Sequence, residues 1–83
     1  MNYTVVWKSR AEQELADIWM QAADRDVIGH AVHKAEHALA RDPFDVGESR
    51  ETDYRLLCIL PLVIGYRVSE DDRLVTVVRV RAV

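Results

Sequence analysis

Four arginines in the last third of this chain, Arg55, Arg67, Arg79 and Arg81, are the side chains whose type and spacing best suit chemistry. Arg79 and Arg81 stand two apart in a run rich in β-branched residues, Leu74-Val75-Thr76-Val77-Val78-Arg79-Val80-Arg81. On a strand they point the same way with about 6.6 Å between their Cα atoms, a separation suited to phosphates or carboxylates. Guanidinium groups stay protonated, so such a set binds and stabilises negative charge but serves poorly as a general acid or base. An exposed strand needs solubilising charge as well, and spacing alone leaves both uses open.

Other constellations offer less. His30, His33 and His37 fall at i, i+3 and i+7 and project from the side of a helix opposite its apolar stripe. His33 and His37 have the spacing to chelate a transition metal, yet no Cys lies near and Glu36 is the only adjacent carboxylate, so a solvated face is expected and no metal site. Ser9 and Ser49 lack His and Asp partners at the same end of the fold, and Asp71-Asp72 belongs to a turn. Gly29, Gly47 and Gly65 are isolated, so there is no phosphate loop, and no cofactor is expected.

At 83 residues, 49% hydrophobic and 30% charged, the chain is expected to form one domain, 1–83. A net charge of -3 excludes an indiscriminate nucleic-acid binder. The charge is uneven: residues 1–48 hold five basic and nine acidic side chains, residues 49–83 six arginines and five acids. Cys58 has no second cysteine to pair with and is expected to be a buried thiol. No apolar run reaches the roughly 20 residues a membrane span needs, and the amino terminus does not start a signal peptide, so a cytoplasmic protein is expected.

The elements that must position the arginines follow from periodicity. Tyr54 to Leu60, Leu62 to Val68 and Leu74 to Arg81 read as three strands of an antiparallel meander, broken by Pro61 and by Ser69-Glu70-Asp71-Asp72. The even positions Leu56, Cys58, Leu60, Leu62, Ile64, Tyr66, Val68, Leu74, Thr76, Val78 and Val80 carry no charge and are assigned to the core. Even then pairs with even. A three-residue loop at Leu60-Pro61-Leu62 sets Arg55 across from Arg67, and the last hairpin takes a loop of three or five residues. The odd face holds the four arginines around an apolar centre of Leu57, Ile59, Val63, Val75 and Val77, which marks it as the docking surface for an acidic amphipathic partner.

Upstream, Tyr3 to Trp7 is a short edge strand, and Ser9 with Glu12 has capping-box spacing. Ala11, Leu15, Ile18, Trp19 and Ala22 form one helical stripe. Asp24 or Asp26 caps a second helix that buries Ile28, Ala31, Val32, Ala35, Ala38 and Leu39 and stops at Asp42-Pro43. The residues from Asp42 to Asp53, with Gly47 as turn residue, form the longest irregular stretch. The order β-α-α-β-β-β predicts a two-layer α+β domain, an antiparallel helical hairpin packed on one face of a largely antiparallel four-stranded sheet.

With this element order, the stretches Leu39-Ala40-Arg41-Asp42-Pro43 through Gly47-Glu48-Ser49-Arg50, and Pro61 through Val68 followed by an acidic turn and a valine-rich strand, make nearly the whole chain resemble the RelE/ParE toxin superfamily. The resemblance implies a plasmid-stabilisation-like toxin of a bacterial type II pair, neutralised by a small antitoxin whose extended tail wraps it. RelE-like members cleave mRNA on the ribosome with basic residues on the open sheet face and commonly a Tyr or His near the C-terminus, whereas ParE-like members act on DNA gyrase. By position, Arg55, Arg67, Arg79 and Arg81 correspond to the basic set. Arg81-Ala82-Val83 supplies no Tyr or His, which implies little or no ribonuclease activity. A catalytically inactive interaction module of the same fold is the alternative.

Overall fold

The last strand is the middle of the architecture. In a computed structural model that describes residues 2–83, β5 (Leu74–Ala82) is flanked on one side by β1 (Thr4–Trp7) and on the other by β4 (Leu62–Ser69). The sheet continues through β3 (Tyr54–Ile59) to the two-residue β2 (Glu48–Ser49), giving the order β1-β5-β4-β3-β2. There are therefore five strands rather than four, and the sheet is mixed because β1 runs parallel to β5. Met1, which belongs to the amino terminus read above for a signal peptide, lies outside the described residues. No helix among them is long and apolar enough to cross a membrane.

Helix α1 (Ser9–Gln21) follows β1, and α2 (Arg25–Arg41) follows after three residues. The capping box expected at Ser9 does not form. Ser9 is already helical, Lys8 occupies the cap position with no side-chain bond, and the Glu12 N–H donates to the Lys8 carbonyl. Asp24 does cap α2, accepting from the N–H groups of Asp26 and Val27, which leaves fewer unpaired donors at that helix end. The helices lie on one face of the sheet but hardly approach each other. The first packs on β5, the second on β1, β3 and β4. Ala11, Ile28, Ala31, Ala35 and Leu39 meet Leu57, Leu62, Ile64, Tyr66, Val75, Val77 and Val80 to form the buried core.

That core overturns the parity expected for two of the three long strands. The β3–β4 connection is two residues, Leu60-Pro61, so Ile59 pairs with Leu62, Leu57 with Ile64 and Arg55 with Tyr66. Odd positions of β3 thus share a face with even positions of β4. A bulge opposite Gly65 and Tyr66 leaves Val78 without a partner and inverts the alternation of β5, so Val75, Val77 and Val80 all point into the core. Leu56, Cys58, Thr76 and Val78 are therefore not core, and Cys58 is exposed rather than buried. Arg67 faces Tyr54, not Arg55. The last loop is four residues, Glu70 to Arg73, with Arg73 at φ 50 taking the left-handed position a tight turn requires. His30, His33 and His37 are exposed on α2.

Candidate functional site

The face without helices collects cations from three places. Arg67 comes from β4, Arg79 and Arg81 from β5, and Lys8 and Arg10 from the junction of β1 with α1, which the parallel pairing of β1 carries alongside β5. Two shallow hollows result. One, of about 460 Å³, is lined by Lys8, Arg10, Arg67 and Arg79 together with Glu51 and Tyr54. The other, of about 340 Å³, lies against Arg79 and Arg81 over Leu56, Val63 and Gly65. Tyr54 borders both. Its ring reaches across the β3–β4 pair onto Gly65, where an added Cβ would sit 1.8 Å from the tyrosine oxygen. Glycine at 65 is what gives Tyr54 its place.

The cations are held to different degrees. Arg79 donates through Nε to the Glu14 carboxylate at 2.9 Å, and the other Glu14 oxygen accepts the Val80 backbone N–H at 2.8 Å. Those bonds occupy β5 where β1 has ended, so Glu14 satisfies an edge that the sheet leaves open. Burial alone would raise the Glu14 pKa. The Val80 N–H, the hydrogen bond and charge of Arg79 and the charge of Arg10 outweigh it and hold the carboxyl below its ordinary value. Arg67 lies 3.7 Å from Asp53, an exposed pair of little energetic weight, and 5.8 Å from the centroid of the Tyr54 ring. Arg81 is exposed and has no ion pair among the described residues. Five cations face three nearby carboxylates, Glu14, Glu51 and Asp53, so the hollows keep a positive balance suited to anions.

Arg55, expected in the same set, is elsewhere. It sits at the margin of the covered face, donating to the carbonyls of Phe44 and Gly47 and to the Tyr66 hydroxyl, with its guanidinium 5.9 Å from the Phe44 ring centroid. Tyr66 is wholly buried and donates to the Pro43 carbonyl. Together they fasten the irregular stretch after α2 to the sheet. Gly47 is required there, since a Cβ would lie 2.2 Å from the Tyr66 oxygen and 2.9 Å from the Leu56 carbonyl oxygen. Of the apolar centre expected on the odd face, Leu57, Val75 and Val77 are buried and Ile59 packs against the core, leaving only Val63 on the open side. Lys8, Arg10 and Tyr54 were not anticipated. Finding the first two requires knowing that β1 lies beside β5, and finding Tyr54 requires the two-residue connection at Leu60-Pro61.

The family model for the ParE toxin of the type II toxin-antitoxin system, parDE, matches residues 5–82. The chain belongs to the ParE toxin family. No curated protein matches it. Among solved structures, this ParE-family chain is similar to one in the toxin-antitoxin complex RelBE2 from Mycobacterium tuberculosis, with a TM-score of 0.83 and 21% identity over 100% of this chain and 93% of that one. The chromosomal ParDE system from P. aeruginosa gives a TM-score of 0.70 at 16% identity, covering 98% and 96%. A RelE-RelB complex from the archaeon Pyrococcus horikoshii gives 0.70 at 12%, covering 99% and 96%. At such identities these likenesses concern the fold.

Proposed function

We propose that this ParE-family protein is the toxin of a type II pair, that it engages an anionic part of its target through the open cationic face, and that a small antitoxin neutralises it. One observation carries the reading: Arg67, Arg79, Arg81, Lys8 and Arg10 converge on the single sheet face that no helix covers. Such groups bind phosphate or carboxylate without proton transfer, which suits a toxin that blocks DNA gyrase better than one that cuts mRNA. The partner is supported by the solved relatives named above, described as toxin-antitoxin or RelE-RelB complexes and a ParDE system.

The test is induced expression in a bacterial host, with and without the small protein encoded beside this one, scoring growth, plasmid supercoiling and transcript cleavage. Growth arrest with altered supercoiling, relieved by Arg81→Ala and by the neighbouring protein, is expected. Growth unaffected by the wild type would leave an inactive interaction module of the same fold. A second reading rests on Tyr54, whose hydroxyl borders both hollows and supplies the proton-transferring group that arginines lack. Transcript cleavage on translating ribosomes that is lost in Tyr54→Phe would establish that reading and displace gyrase as the target.

A further inference from the structure

The helical side of the molecule has a surface that the cationic face does not explain. Because α1 rests on β5 and α2 on β1, β3 and β4, the two helices leave a cleft of about 430 Å³ between them. Its floor is apolar, formed by Trp7, Leu15 and Val32. Trp19, 41% exposed, and Ala16 form the α1 wall. Two carboxylates stand at its rim, Glu12 from α1 and Glu36 from α2, and neither has an ion pair among the described residues. Glu36 accepts the Trp7 indole N–H at 2.9 Å through one oxygen, which fixes the carboxylate and leaves its second oxygen facing outward.

A further observation bears on what fills the cleft. Gly29 lies within α2, one turn before Val32 and beside Trp19. Glycine weakens a helix interior, and nothing within the chain requires it here, since an added Cβ would be at 3.7 Å from the Trp19 ring, ordinary contact. Small residues at 16 and 29 on facing helices leave room for a third backbone to come close, and the lining spacing, 12, 15, 16 and 19 on one helix against 29, 32 and 36 on the other, matches the period of a helix laid alongside.

We infer that the cleft between α1 and α2 receives an amphipathic helix of a partner protein, with an aliphatic stripe against Trp7, Leu15, Trp19 and Val32 and Lys or Arg on its flanks against Glu12 and Glu36. The inference rests on the proposed toxin-antitoxin reading in taking that partner to be the neutralising protein. Neutralisation then begins on the side of the molecule opposite the cationic face.

The experiment measures affinity for the neighbouring gene's product, using full-length wild type, Ala16→Trp to fill the cleft, and Glu12→Lys to reverse one rim charge. Ala16 is exposed, so thermal melts should show both variants folded. At least about tenfold weaker binding by Ala16→Trp, with Glu12→Lys also weakened and toxicity retained in both, supports the inference. Wild-type affinity in both variants overturns it and leaves the toxin reading intact. If the wild type itself ignores the neighbouring product, the antitoxin part of that reading fails, and the cleft is judged with a Leu/Lys amphipathic helical peptide against a Leu/Glu control of equal spacing. Preference for the Leu/Lys peptide that Ala16→Trp removes supports the cleft assignment, and no preference overturns it. A wild-type homodimer dissociated by Ala16→Trp also overturns it, because the occupant is then a second copy of this chain.

Discussion

Arg55 and Arg81 lie on the same sheet with one strand between theirs, yet they serve different ends. Arg55 meets two carbonyl oxygens and a buried tyrosine hydroxyl, and its donors are occupied in holding the segment after α2 against the sheet. Arg81 meets open solvent beside a shallow hollow. An arginine becomes structural or functional according to the acceptors the fold brings to it, and here the division follows the two faces. On the covered face charge is tolerated only where backbone oxygens surround it; on the open face its donors remain available to a ligand.

Substitutions probe that division most strongly at Val77, which is wholly buried under the helices. Val77→Glu puts a carboxylate there with no partner and should cost about 4 kcal/mol or more, enough to unfold a domain of this size. Val78→Glu, one residue on and half-exposed on the open side, should cost less than about 1 kcal/mol. Urea melts of the two compare the faces directly, and similar midpoints would mean the division is wrongly drawn. Arg55→Ala should come next, losing about 2–3 kcal/mol as charge-assisted bonds to the Phe44 and Gly47 carbonyls disappear. Arg55→Lys should recover only part of that, because an ammonium lacks the fork that spans the acceptors.

Glu14 stands where the two regions meet, and its effect should be smaller and visible only in acid. Its folded pKa lies below the ordinary glutamate value, so its contribution is fully present above that ordinary value, about 4.3, and is lost as pH falls through the depressed one. Glu14→Gln should flatten this acid limb of the stability profile and leave Arg79 without its ion pair. An unchanged acid limb would show that the Val80 and Arg79 bonds do not differ in strength between the two protonation states. The smallest stability effect belongs to Arg81→Ala, within about 0.5 kcal/mol by thermal melt, alongside the loss of toxicity tested above.

The α+β class, both helices, the Asp24 cap and the meander were legible because each rests on local periodicity and turn chemistry. Parity failed at two points where a single residue decides everything after it. A connection of two residues at Leu60-Pro61 instead of three, and one unpaired residue at Val78, each exchange the faces of a strand, and alternation alone does not register either. For this reason Arg67, Arg79 and Arg81 were recognisable while the apolar centre assigned to them was not. Arg55, at an odd position like the others, was carried to the covered side by the shorter connection.

The parallel pairing of β1 with β5 has a consequence for the order in which the molecule is made. Residues 4–7 pair with residues 74–77, so the first strand to be synthesised has no neighbour until the last one arrives. Pairing across so long a separation is slow to form, and until then the flank of β4 that β5 will occupy stays open. A nascent chain short of residue 74 has neither the strand that joins β1 to the rest of the sheet nor Arg79 and Arg81. Translation therefore withholds the cationic surface until its final residues, and the event that supplies it also closes the sheet.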